Sequence, residues 1–100
     1  MDKAAALKCA AKYAEIVKTV CDPVAVVVYG SYVNGTPNEN SDIDIAVIFD
    51  GFNGDFLSLS ASLYRLTCDV STTIEPVILD LANDKSDFAK TVLRTGYKVA

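Results

Sequence analysis

Two short groups of residues in this chain have the types and spacing that phosphate and metal chemistry require. Gly30-Ser31 closes an apolar run, and after a gap of ten residues Asp42-Ile43-Asp44 opens a second one. A glycine lets a phosphate approach the main chain, and a serine hydroxyl with the amides after it can donate to phosphate oxygens. In a strand, alternate residues share a face, so Asp42 and Asp44 would lie about 6 to 7 Å apart on the same side. Two such carboxylates repel each other unless a cation lies between them. Mg²⁺ suits that place, because it takes oxygen ligands and is commonly held by one or two carboxylates together with substrate phosphates. Glu75 is a third acid for the same centre and would permit two ions, one activating an attacking oxygen and one holding a triphosphate. Each piece alone has a plain alternative: a tight turn at Gly30, a solvated strand end at Asp42 and Asp44, a solvated edge at Glu75. Asp69 competes with Glu75 as the third acid.

The elements that must position these residues follow from periodicity. Residues 3 to about 20 read as a helix, with Leu7, Ala10, Ala11, Ala14, Val17 and Val20 on one stripe. Val24–Tyr29 is an unbroken apolar run, the pattern of a strand buried on both faces. Ser31 to Asn34 would turn helically, Gly35 would end that turn, and Thr36–Ser41 is loop by composition. Ile43–Phe49 is the second strand. Asp55 to about Thr67 is a helix with Phe56, Leu59, Leu63 and Leu66 inward, and Thr73–Leu79 is the third strand. Asp84 to about Thr95 is a last helix with Phe88, Val92 and Leu93 inward, Gly96 is its C-terminal cap, and Tyr97–Val99 is a short edge strand. The connection between the first two strands is too short for a parallel crossover with a full helix, so they should be antiparallel. A whole helix separates the second and third strands, so they should be parallel. That topology brings Gly30, Ser31, Asp42, Asp44 and Glu75 to one end of the sheet. The expected fold is α/β (α+β), a small mixed sheet of three to four strands flanked by helices, with residues 1–100 forming a single domain.

Composition narrows the chemistry further. The chain has no histidine, which removes Ser-His and Cys-His nucleophiles and histidine-bound zinc. Its three cysteines, Cys9, Cys21 and Cys68, have no CxxC spacing and read as reduced thiols. The net charge of −4 argues against gripping a long nucleic acid through its phosphates. No apolar stretch approaches the ~20 residues of a membrane span. The start, Met1-Asp2-Lys3-Ala4, has no signal-peptide pattern, so a cytoplasmic chain is expected. Lys90, Arg94 and Lys98 recur every four residues and read first as a solvated face. Tyr29 and Tyr32 flank Gly30-Ser31 and suit either core packing or stacking on a base.

Taken together, Tyr29-Gly30-Ser31, the gap of ten and Asp42-Ile43-Asp44-Ile45 resemble the signature of the DNA polymerase β superfamily of nucleotidyltransferases. That signature is an apolar residue, Gly, Ser or Gly, about nine to thirteen residues, then acid-apolar-acid-apolar. The leading helix, the strand order and the ending Phe88…Gly96-Tyr97-Lys98-Val99 extend the resemblance over most of the chain, toward the minimal nucleotidyltransferases. The resemblance implies transfer of a nucleoside monophosphate, AMP from ATP, with two Mg²⁺ ions on Asp42, Asp44 and Glu75 and the phosphates on Gly30 and Ser31. It also implies an antitoxin role toward a small helical HEPN-domain partner, whose hydroxyl would be the acceptor; a homo-oligomer or a hetero-oligomer is expected. Small members often carry Ala-Arg where this chain has Val33-Asn34, which removes a possible phosphate contact. Two other readings stay open: an inactive module that neutralises a partner by contact, and an aminoglycoside-type small-molecule transferase.

Overall fold

The computed structural model describes residues 2–34 and 42–100, and at Ser31 and Asn34 the backbone alone. The expected loop Thr36–Ser41 and the turn-ending Gly35 lie outside the described residues.

The first helix, α1 (Lys3–Val17), begins where the Asp2 carboxylate accepts from the Ala5 N–H at 2.8 Å. It ends three residues short of the expected boundary. Its buried stripe is Ala6, Ala10, Tyr13, Ala14 and Val17, whereas Ala11 is exposed and Val20 is 52% exposed. Small alanines let α1 lie close on the sheet. Tyr13 can be buried because its hydroxyl donates to the Leu63 carbonyl at 2.7 Å, which ties α1 to α3 (Phe56–Thr67).

Four strands form one mixed sheet: β1 (Ala25–Tyr29), β2 (Ile43–Phe49), β3 (Ile74–Asp80) and β4 (Tyr97–Lys98), in the order β3-β2-β1-β4. β1 runs antiparallel to β2 and to β4, and β2 runs parallel to β3, as the connection lengths predict. The central strands are apolar on both faces because both are covered. Val26, Val28, Ile43, Ile45 and Val47 pack under α1 and α3, and Ala25, Val27, Ala46 and Ile48 pack against Val92 of α4 (Phe88–Thr95).

Several local expectations change. Phe56 stands 51% exposed instead of packing inward, because α3 buries Leu63 and Thr67. The last helix starts at Phe88, four residues late. A single 3-10 turn (Leu81–Asn83) comes first, and Asp84 then accepts from the Ala89 and Lys90 N–H groups at 2.9 and 3.1 Å, capping the helix from outside. Ala89 joins Val92 in the core, and Phe88 is 43% exposed. Gly96 does end α4, but its φ of −82° is extended rather than left-handed. A side chain there would strike Val27 and crowd the Val92 and Val28 carbonyls, so close approach, not turn geometry, requires the glycine. Cys9 and Cys21 are half-buried, Cys68 is exposed, and all three are free thiols.

Candidate active site

β1 ends at Tyr29, and Gly30 turns the chain at φ +79°, a left-handed conformation that glycine adopts without penalty. The next residues form the short helical turn α2 (Ser31–Asn34), closed by the Val33 N–H donating to the Gly30 carbonyl at 3.0 Å. Glycine is needed at position 30 for a second reason. A Cβ there would fall on the Asp44 carboxylate, Oδ2 first. The turn and the acid therefore occupy adjoining space, and the first is shaped around the second.

Strand register sets the rest. Tyr29 pairs with Asp44 across β1 and β2, and Asp44 pairs with Glu75 across β2 and β3. Tyr29, Asp44 and Glu75 thus form one row across three strands, on the sheet face that also carries Val77 and Leu79. Asp42 stands two residues before Asp44, just ahead of β2, and is exposed. Asp44 is half-buried and Glu75 is exposed. The exposure of Glu75 removes the argument that burial without a partner obliges it to bind something. Register, not burial, places it with the aspartates. Asp69 lies in the turn after α3, its N–H donating to the Leu66 carbonyl at 3.1 Å, and is outside the row.

The acids act on one another. Burial first, and then the Asp42 charge, push the Asp44 carboxyl above the usual carboxylate range. Glu75 is pushed up by desolvation, by the Asp42 and Asp44 charges and by a hydrogen bond with the Asp42 side chain. Desolvation, then Asp44 and Glu75, also raise the Tyr29 phenol and keep it neutral. Among the described residues the only ion pair is the exposed Lys90–Asp87 contact at 3.8 Å, so no basic side chain offsets this row. Nor do any three acids among the described residues close into a ready-made cage for a metal. The donor set nevertheless fits a hard cation: carboxylate oxygens only, in mutual repulsion, beside the glycine turn at residue 30. Mg²⁺ commonly takes only one or two carboxylates from the protein and completes its shell with water and phosphate oxygens.

The two tyrosines divide. Tyr32 is buried in the core beneath α1. Tyr29 is half-buried, meets Phe88 edge to face at 5.8 Å, and helps wall a cavity of about 180 Å³ beside Gly30. Its membership of the acid row is the feature that sequence reading missed; the β1–β2 register, carried one residue further, would have shown it. A larger cavity of about 510 Å³ lies away from the acids, along the outer side of β3. Acids and register, rather than cavity size, single out the candidate site.

The family described as "Polymerase beta, Nucleotidyltransferase" matches residues 11–100, and the chain belongs to it. Among solved structures, a candidate nucleotidyltransferase from Sulfolobus solfataricus superposes with a TM-score of 0.67 at 20% identity, over 96% of this chain and 80% of that one. A toxin-antitoxin crystallised with AMP-PNP gives a TM-score of 0.60 at 22% identity, over 90% of this chain and 72% of that one. Both share the fold. No curated protein matches the sequence.

Proposed function

We propose that this chain transfers AMP from ATP to a hydroxyl on a small helical partner protein of HEPN type, and in doing so acts as its antitoxin. The observation that carries this reading is the row Tyr29–Asp44–Glu75, with Gly30 shaped around the Asp44 carboxylate. The family and the toxin-antitoxin neighbour with AMP-PNP support it.

The residues divide the work as follows. Gly30 leaves room for a phosphate against the main chain, and Ser31 with the amides of α2 donates to the β- and γ-phosphates. Asp42 and Asp44 would hold two Mg²⁺ ions, with Glu75 on the one beside the acceptor, and bound there these supply charge neutralisation and a more acidic acceptor hydroxyl. Glu75 sits at the acceptor side and takes the hydroxyl proton. The acceptor oxygen then bonds to the α-phosphorus while the bond from that phosphorus to the bridging oxygen breaks, and pyrophosphate leaves. The chain's contribution is positioning and charge placement rather than a covalent intermediate.

The test uses ATP labelled at the α-phosphate, Mg²⁺, and a small helical HEPN-type protein as the partner. The isolated chain should stay almost unlabelled, addition of the partner should bring label onto it, and Asp44→Asn should abolish that transfer. Rapid labelling of an aminoglycoside would favour a small-molecule transferase instead. Neutralisation of the partner by Asp44→Asn, with no label transferred by the parent chain, would favour a contact-only module.

A further inference from the structure

The sheet order ends at β3, so one side of that strand has no neighbour. The Ile43 N–H donates to the Thr73 carbonyl at 2.8 Å, which fixes the alternation of the parallel pair. Main-chain groups of Glu75, Val77 and Leu79 then point toward β2, and those of Ile74, Pro76 and Ile78 point away. The Ile74 N–H is used by the Ser71 carbonyl at 3.2 Å, and Pro76 has none. The Ile78 N–H and carbonyl remain outward, and no described residue bonds to them. Proteins usually protect such an edge with charge, proline or a covering element. Here Pro76 blocks the first half, and the second half is left open.

That open half is the floor of the 510 Å³ cavity. Phe52 and Phe56 wall it from the side of α3, and Phe88 closes it from the side of α4. Phe56 and Phe88 are 51% and 43% exposed, so two aromatic rings stand partly in water against the same groove. An outward N–H and carbonyl pair between aromatic walls matches an extended polypeptide, which supplies a complementary carbonyl and N–H together with a side chain for the pocket. The groove lies away from the acids but shares β3 with one of them. Glu75 lies three residues from Ile78 and five from Asp80 along the same strand, about 10 to 17 Å at the usual strand rise.

We propose that the outer edge of β3 docks the acceptor polypeptide: an extended segment pairs with Ile78, seats an apolar side chain among Phe52, Phe56 and Phe88, and carries a hydroxyl residue to Glu75. This rests on the reading that a protein hydroxyl is the acceptor. It adds where that protein binds, in what conformation, and at what spacing the hydroxyl stands from its anchor.

The probe is a set of short synthetic peptides, neutral or basic, each with one tyrosine and one leucine at varied separation. Hydrogen exchange at the Ile78 amide reports docking, label transfer from ATP with Mg²⁺ reports acceptance, and the melting shift on ATP with Mg²⁺ reports the nucleotide site. Peptide should slow exchange at Ile78, and label should reach the tyrosine only when leucine stands three to five residues away. Phe56→Ala and Ile78→Pro should each lower labelling about tenfold, equivalent to about 1.4 kcal/mol of lost docking. Both should leave the ATP shift intact, and Phe56→Ala keeps the test available if the proline disturbs folding. Labelling without spacing preference, undiminished in Phe56→Ala, overturns the docking edge and leaves the transferase standing. Slowed exchange at Ile78 with a normal ATP shift but no labelled peptide overturns the acceptor role of the edge. An absent ATP shift points instead to failure of the nucleotide reading itself. Protection of Ile78 that grows with the chain's own concentration, without peptide, assigns the edge to a second copy and overturns the proposal.

Discussion

At position 30 a side chain and a carboxylate would contend for the same space, and that makes Gly30 a residue with two separable roles. Replacing it with alanine strains a φ of +79° and pushes a methyl group into the Asp44 carboxylate. The backbone part should cost about 1 to 3 kcal/mol of stability. The displacement of Asp44 should cost far more in activity, because a carboxylate moved by an ångström no longer serves a reacting phosphate. We expect Gly30→Ala to melt somewhat lower, stay folded, and lose nearly all transfer; full transfer in the folded variant would mean that Asp44 does not need this placement. Asp44→Asn tests the charge alone. The Asp44 and Glu75 carboxyls are raised in the folded state, so their contribution to stability is fully present below the unfolded value, about 4, and is lost as pH rises through the folded values. At pH 7, without Mg²⁺, the row therefore repels itself. Asp44→Asn should melt higher than the parent there, and the gain should vanish below about pH 4. A melting series over pH with a chelator present reads this directly; an equal or lower melting point at pH 7 would show that the acids are not in conflict.

At the scale of elements, the parts that alternation governs were legible and the parts that capping governs were not. β2 begins and ends where its apolar run does, at Ile43 and Phe49, because both faces are covered and every position but Asp44 is apolar. The pairing senses followed from connection length, and with them the meeting of Gly30, Asp44 and Glu75. In α1, Ala10, Ala14 and Val17 are buried as periodicity predicts, but Tyr13 joins them in place of Ala11 and Val20, because the Leu63 carbonyl, fifty residues away, makes its burial possible. α4 starts four residues later than its sequence predicts, because Asp84 looks like a first-turn residue. In fact it reaches over Asp87, itself left-handed at φ 57°, to receive the Ala89 and Lys90 amides. Periodicity alone points Phe56 and Phe88 inward, whereas Leu63, Ala89 and Val92 fill the core. The capping geometry gives a prediction. Asp84→Ala leaves two helix amides without their acceptor and should cost about 1 kcal/mol, in the range of lost N-caps. The loss should be confined to α4, seen as faster amide exchange at Ala89 and Lys90 with β2 unchanged. Uniform acceleration across the sheet would mean that α4 and the sheet open as one unit.

For the whole molecule, the governing quantity is the sign of charge at the substrate end. The chain carries a net charge of −4, and the row of Asp42, Asp44 and Glu75 adds local negative potential where the proposed triphosphate would arrive. No described basic side chain pairs with that row. ATP alone carries the same sign, so the free nucleotide should be turned away, and affinity should depend on a divalent cation rather than on the protein's own cations. This separates the present chain from nucleotide sites built around a lysine or arginine, which retain metal-free binding. The chain also lacks histidine, so no imidazole can alter the charge of this end near neutral pH. A ligand that binds only the folded state stabilises it by mass action, by about 2.7 kcal/mol at one hundred times its dissociation constant. We expect ATP with Mg²⁺ to raise the melting point, ATP with a chelator to leave it unchanged, and Mg²⁺ alone to raise it slightly by relieving the acid row. In Asp44→Asn the rise with ATP and Mg²⁺ should shrink sharply, whereas Asp69→Asn, whose side chain is outside the row, should retain it. Identical melting curves for the parent with and without Mg²⁺ at saturating ATP would remove the metal from the site, and with it the argument that the unpaired acids are kept to receive one.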